Sequence, residues 1–456
     1  MLSSDHKELL DAATPLKSLD VGAPRSLVGR LRRIASRPGF IHTPLSLLDQ
    51  TIVSGTSFLT TVMIGRVCGA EELGVYSLAF TLVVLLTNLQ TAVLSTPYTI
   101  HGNRLSGQER HEFAGSVFVH CLMFMAATSL CLALIAIGLF VFQPSNSYIY
   151  VMWGLAASMP LLLLREFVRR FAFTHFQILT VLAVDISATV IHFFGLWLLL
   201  QNELLTTVNA YLVIAVSCAI ASGIALAYLK NGIAVRWHNV FPELGRSWLL
   251  GRWLAATRGA SLVQSYAVYW ILAGFIGTAA TGVYAACMTL LMAANPFIIG
   301  IGNLLEPQAA RALAQGGVSQ MRRVVWHATL LLGSVMGLYC GALVFFGGWI
   351  VPLLFKGQQF ENQGAVIAIL ALGTLTHVWA TGSTHGLRIL ERPDLSFRAS
   401  ILSLVITLTL SVILVPLFGL LGGAWAVFAG DIAATTMRWI VFLQVSKERD
   451  KPVAST

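Results

Sequence analysis

Residues 69–82 read GAEELGVYSLAFTL, and residues 277–290 read GTAATGVYAACMTL. The two stretches align without a gap: Gly69 with Gly277, the two Gly-Val-Tyr triplets, and the closing Thr-Leu. Each phrase sits where one long apolar run ends and the next begins. Six apolar runs separate the two phrases. That even number gives both halves the same heading, a parallel repeat with its axis along the membrane normal. The glycines permit a tight reversal and close helix approach. The tyrosines are expected at interface depth, where an amphipathic ring is favoured.

The composition supports a membrane reading. Hydrophobic residues are 56% of the 456-residue chain, charged residues 11%, and mean hydropathy is +0.77. A soluble domain carries about 25% charged residues, so most of this chain does not face water. A bilayer span needs roughly 20 mainly apolar residues. Twelve runs qualify, at about 46–67, 74–98, 114–142, 147–168, 176–200, 206–229, 253–276, 281–305, 324–346, 363–387, 396–416 and 420–443. Hydrocarbon offers the backbone no hydrogen bonds, so these are helices rather than open strands. The expected fold class is all-α and polytopic, with twelve spans in two pseudo-symmetric six-helix bundles.

Basic residues set the orientation. Lys and Arg mark the cytoplasmic side, and 27 of the 29 fall in the tails, the even-numbered connections or the cytoplasmic halves of spans. Only Arg66 and Lys356 fall in the opposite connections. Both termini are therefore expected in the cytoplasm. The boundaries read as a polar to amphipathic tail at 1–40, an N-lobe at 41–229, a linker at 230–250, a C-lobe at 251–445 and a tail at 446–456. Within the first tail, RSLVGRLRRIAS (25–36) spaces Leu27, Leu31 and Ile34 as a short helix lying on the inner leaflet. The opening 45 residues lack a cleavable-signal pattern. The net charge of +9 is explained by topology and anionic lipid, and nucleic acid is not an expected partner. Six cysteines show no metal-ligand spacing and read as small apolar residues.

Twelve spans, the phrase ELGVYSLAF at 72–80 and REFVRR at 165–170 together resemble the polysaccharide-type flippases of the multidrug/oligosaccharidyl-lipid/polysaccharide exporter superfamily. The resemblance covers about residues 40–445. It implies a MATE-like fold, two six-helix lobes around a central cavity. It also implies a cargo, a lipid-diphosphate-linked oligosaccharide turned from the inner to the outer leaflet in a bacterial cytoplasmic (inner) membrane. Partners on this reading are the lipid-linked glycan, membrane lipids, a polysaccharide polymerase and glycosyltransferases, with the chain itself a monomer.

Polar residues inside spans are the candidate site, because a charge at a span centre costs about 2.5–3.5 kcal/mol. Asp49 and Arg258 occupy nearly equivalent places in the two halves. They are read as facing each other or the cargo at the inner mouth; an interfacial pair, or separate snorkelling to headgroups, is the alternative. Asn88, Gln90, Gln264 and Asn295 are hydrogen-bonding candidates for a sugar headgroup, or else glue between helices. Asp185 with His192 two turns on, and Asp431 with Arg438 two turns on, are candidates for proton or sodium coupling, or for internal ion pairs. Arg165 and Arg169 are assigned to the cytoplasmic rim, and His120, His377 and His385 to structure. Pro97, Pro160, Pro296 and Pro416 are expected to kink their spans. No cofactor is expected, and no G-x-x-x-x-G-K-[ST] phrase is present. An enzyme is not expected either. Two rivals stay open: a MATE-type exporter of small organic cations, with carboxylates and aromatics in its site, and a membrane-embedded polymerase or ligase.

Overall fold

The computed structural model describes residues 38–102, 104–143, 148–175, 177–229 and 232–450. The expected surface helix at 25–36 lies outside the described residues. By contact pattern residues 47–456 form a unit separate from the residues before them, and it holds all the contacts and cavities described below.

Every regular element among the described residues is helical. In chain order these are α1 (Pro38–Gln90), a π-helical turn (Thr91–Ser95), α2 (Thr96–Gly102), α3 (Gly107–Phe142), α4 (Tyr148–Thr174), α5 (Ile178–Gln201) and α6 (Thr207–Leu229). There follow α7 (Trp237–Phe275), α8 (Thr278–Met292), α9 (Asn295–Leu354), a 3-10 turn (Gln358–Phe360), α10 (Gly364–Ile389), α11 (Pro393–Phe418) and α12 (Leu420–Arg449). Nine helices among the described residues are long and apolar enough to cross a membrane. Their outward faces carry large apolar side chains such as Phe142, Phe345 and Trp349, each more than 80% exposed. Their buried faces are rich in small residues, which let helix backbones approach.

The first two apolar runs are two helices that meet at a kink within α1, at Gly69, which is non-helical (φ 86°, ψ −177°). Likewise α9, 60 residues long, is two helices that meet at a kink at Gly316 and Gly317. Its middle, EPQAARALAQGGVSQMRR (306–323), reads as a polar connection, and the break between the two helices falls inside it, at Gly316 and Gly317; the good helix formers Ala, Leu, Gln and Arg on either side carry the helical turns right up to that break. The linker expected at 230–250 is mostly helical too, because α7 begins at Trp237. It docks on α3: Arg236 pairs with Glu112 at 3.0 Å, the Ala234 N–H donates to the His111 carbonyl, and the His120 ring meets the Val240 carbonyl at 2.7 Å.

The repeat has a direct structural counterpart. Gly69 and Gly277 both adopt positive φ, 86° and 119°, which L-residues with a side chain rarely tolerate. Five residues on, Gly74 and Gly282 cross. A methyl group on Gly74 would overlap the Thr278 carbonyl oxygen, and one on Gly282 would overlap the Ala70 carbonyl oxygen. Ala70 and Thr278 are themselves repeat equivalents, so each half contacts the other through the same pair of positions. A local two-fold relation produces this reciprocity. The tyrosines of the two phrases depart from expectation. Tyr76 and Tyr284 are 5% and 1% exposed, stacked or edge-on against Tyr211 and Tyr269. The crossing draws this face of each helix into the protein core instead of leaving it at the lipid boundary.

Helices α3 to α6 pack largely among themselves, as do α9 to α12, with α7 against α11 and, at its other end, against α3 and the π-turn. Pro160 and Pro416 lie inside helices, whereas Pro296 sits in the first turn of α9. There its missing N–H costs nothing, and the break falls before it, at residues 293–294.

Candidate functional site

The first arm of α1 is rich in hydroxyls: TIVSGTSFLTT at 51–61. Ser54, Ser57 and Thr61 fall at helical spacing on one face, Thr56 and Thr60 on another. The second face is spent inside the N-terminal half, where Thr56 bonds Thr189 at 3.1 Å and Thr60 bonds His192 Nε2 at 2.9 Å. The first face opens onto a cavity of about 210 Å³. Its opposite wall comes from the C-terminal half: Tyr266 and Tyr269 of α7, Thr289 of α8, and Asn295 just after the α8–α9 break. Tyr76, Ser77 and Phe80, from the repeated phrase, complete it. No carboxylate lines this cavity among the described residues. A second cavity of about 180 Å³ shares the Ser57, Tyr76 and Phe80 wall and runs into the N-terminal half toward Thr87, Arg165, Glu166 and His192.

Beneath that second cavity lies an ionic cluster. Asp185 is fully buried, and Arg165 and Arg169 engage its two oxygens, at 2.5 and 2.7 Å. Arg169 also reaches Asp49 at 2.9 Å and Glu166 at 3.1 Å, and Arg170 reaches Glu166 at 2.6 Å. Three arginines thus face three carboxylates across α1, α4 and α5, and the cluster is neutral. The REFVRR phrase is its hub, since positions 165, 166, 169 and 170 share one helix face.

Several predicted residues fall elsewhere than expected. Asp49 does not face Arg258: it is buried against Arg169, which lies within the same half. Arg258 is exposed and donates to Asn88 Oδ1 at 3.3 Å. Arg165 and Arg169 are not rim residues, because burying Asp185 and Asp49 demands cationic partners at the same depth. Gln90 does not face a cavity. It is fully buried and its amide donates to the Leu163 carbonyl at 3.0 Å and to Cys121, tying α1 to α4 and α3. Gln264 donates to Ser403 at 2.6 Å, joining α7 to α11. Asp431 lies 3.9 Å from His377 Nδ1 and forms no ion pair with Arg438, which donates to Ser400 at 2.7 Å. Of the predicted residues only Asn295 lines the cavity between the halves, and His192 and Arg165 line the second. The cavity-lining residues that the sequence reading passed over are Ser54, Ser57, Thr61, Tyr76, Phe80, Tyr266, Tyr269 and Thr289. The signal was the hydroxyl stripe on α1, at i, i+3 and i+7.

No protein-family model matches the sequence, and no curated protein does. Solved structures match over nearly the whole chain. An inward-facing multidrug resistance MATE family transporter of the MOP superfamily aligns with a TM-score of 0.75 at 12% identity, covering 88% of this chain and 96% of its own. The MATE multidrug transporter DinF-BH gives a TM-score of 0.67 at 14% identity, covering 92% and 96%. The lipid II flippase MurJ, in an inward closed conformation, gives 0.64 at 12% identity, covering 88% and 89%. This chain therefore has the MATE-like fold of the MOP superfamily, a fold on which both drug exporters and a lipid flippase are built.

Proposed function

We propose that the chain turns a lipid-diphosphate-linked oligosaccharide from the inner to the outer leaflet of a bacterial cytoplasmic membrane, by alternating access of its two halves around the cavity at Ser57, Tyr76, Tyr266 and Asn295. The reading rests on the make-up of that cavity. Hydroxyls and an amide, set among aromatic rings, with no carboxylate among the described lining residues, suit the hydroxyl-rich, neutral faces of a sugar. The barrier to flipping a glycolipid is the desolvation of its headgroup, several kcal/mol per unpaired polar group. A polar cleft lowers that barrier while the tail stays in lipid. With the cell interior negative, outward movement of a phosphate charge gains about 2.3 kcal/mol per 100 mV. A polysaccharide polymerase and glycosyltransferases are the natural partners, consuming and supplying the cargo.

Export of small organic cations is the second reading, and the five aromatic residues Phe58, Tyr76, Phe80, Tyr266 and Tyr269 in the cavity favour it. One assay separates the two. The purified chain is reconstituted with a fluorescent lipid-linked oligosaccharide, and the fraction reached by an external lectin is followed in time. We expect exchange well above protein-free vesicles and no ethidium efflux under a sodium or proton gradient. Ethidium efflux without glycolipid exchange would replace this reading with the drug-export one.

A further inference from the structure

The C-terminal half holds a pocket of about 380 Å³ that the cavity between the halves does not touch. Its size lies in the roughly 300–1,000 Å³ range of small-ligand sites. Its walls are the last turns of α10, the first turns of α11, the C-terminal part of α12 and, from α7, Ser261. The lining residues that bear on its chemistry are Arg438, Arg388, His385, Thr381, Ser396 and Ser400, and no carboxylate lines it among the described residues.

The cations are unequally spent. Arg388 shares the Glu306 carboxylate with His385, at 2.5 and 2.9 Å. Arg438 forms no ion pair among the described residues. One of its terminal nitrogens donates to Ser400 at 2.7 Å, and its buried Nε has no hydrogen-bond partner. An arginine within a membrane helix is costly and is usually compensated; here no described carboxylate lies within ion-pair distance, and Asp431, two turns back on α12, acts on it only from further away. A planar guanidinium with unspent donors beside hydroxyls is the arrangement that receives phosphate oxygens. The pocket lies at the end where α10 and α11 are joined by residues 390–392; Arg392, paired with Asp394, and Arg398 are near this join in the sequence but do not line the pocket. By the distribution of basic residues that end faces the cytoplasm, level with the headgroups of the inner leaflet.

We propose that this pocket binds the diphosphate of a polyprenyl carrier at the inner leaflet, with Arg438 as its principal cation and Arg388 and the hydroxyls of Thr381 and Ser396 around it. The proposal deepens the glycolipid reading and rests on it. Binding is measured without transport, so the two fail separately: a chain that flips glycolipid with Arg438→Gln indifferent to diphosphate loses the pocket and keeps the reading.

The test is calorimetric titration of the detergent-purified full-length chain with farnesyl diphosphate, a soluble polyprenyl diphosphate, in competition with inorganic diphosphate and with phosphatidylglycerol. We expect Arg438→Gln to weaken binding at least about tenfold, the equivalent of about 1.4 kcal/mol. Arg438→Lys should weaken it less, Arg392→Gln outside the pocket should leave it unchanged, and inorganic diphosphate should compete. Should Arg438→Gln fail to fold, Ser400→Val removes the hydroxyl that holds the guanidinium, and it should weaken binding several-fold. Unchanged affinity in a folded Arg438→Gln or Ser400→Val chain overturns the proposal. So does phosphatidylglycerol displacing farnesyl diphosphate as readily as inorganic diphosphate, which would make this an ordinary lipid site.

Discussion

Residue by residue, the buried cluster around Arg169 separates a structural role from a coupling role. Asp185 balances two arginines, while Asp49 balances Arg169 alone. Removing one partner of a buried pair strands a charge and costs about 3–5 kcal/mol. Asp185→Asn strands charge on Arg165, which has no other ion pair among the described residues, and leaves Arg169 with Asp49 and Glu166. Asp49→Asn leaves Arg169 still held by Asp185 and Glu166. Asp185→Asn is therefore expected to lower the melting temperature in detergent clearly more than Asp49→Asn does. Equal, small losses, together with a flattened pH dependence of flipping, would return Asp185 to an ion-coupling role. The charged residues themselves were legible in the sequence, and their partners were not. Positive-inside counting treats Arg165 and Arg169 as markers of a membrane face. Only the fold reveals that Asp49, more than a hundred residues earlier, needs one of them.

Among the helices, both halves interrupt the second arm of the repeated unit. The first does so with the π-turn at 91–95, the second with the break at 293–294 between α8 and α9. The second lines the cavity between the halves through Ala293 and Asn295, where a discontinuity frees backbone groups and lets two helix segments move separately. Pro296 enforces the second break, since a helix continuing through it would drive its ring into the Met292 carbonyl. Pro296→Ala is expected to let α8 run into α9, raising stability by up to about 3 kcal/mol while slowing glycolipid exchange. Wild-type exchange in a chain that melts higher would show that the break has no part in transport. The proline was readable as a disturbance, but its position was not. A proline pattern alone does not say whether the residue kinks a helix or starts one. The hydroxyl stripe on α1 was equally visible as Ser54, Ser57 and Thr61. It went unread because charge draws attention first, although a sugar is recognised chiefly by neutral donors and acceptors.

For the chain as a whole, the duplicated phrase was the most legible feature, because turn glycines mark backbone geometry that no other residue supplies. What it could not disclose is that the two copies touch. The Gly74–Gly282 crossing joins the halves at the end that, by the distribution of basic residues, faces outward. Trp270 adds a cross-half hydrogen bond to Thr81 at 2.9 Å, one turn or two deeper. On the alternating-access reading this is the outer gate, closed. The gate can then be opened by a single methyl group. On Gly74 that methyl would overlap the Thr278 carbonyl oxygen, where non-bonded contacts need about 3.5 Å. The backbones must therefore part by more than about 1 Å, or the closed state is lost. Packed interfaces are bistable rather than elastic. Gly74→Ala is therefore expected to shift the population to the open state instead of stretching the contact. Spin labels at Glu71 and Ile276, both exposed beside the two turns, would report it by pulsed dipolar spectroscopy. The wild-type chain should give a dominant short distance. Gly74→Ala and Gly282→Ala should each move population to a separate, longer one, and to the same one, because the two contacts are equivalent by the repeat. If only one of the glycines matters, the reciprocity is geometric and the gate is not shared. If neither shifts the distribution, the crossing is a fixed pivot, and the halves must separate elsewhere.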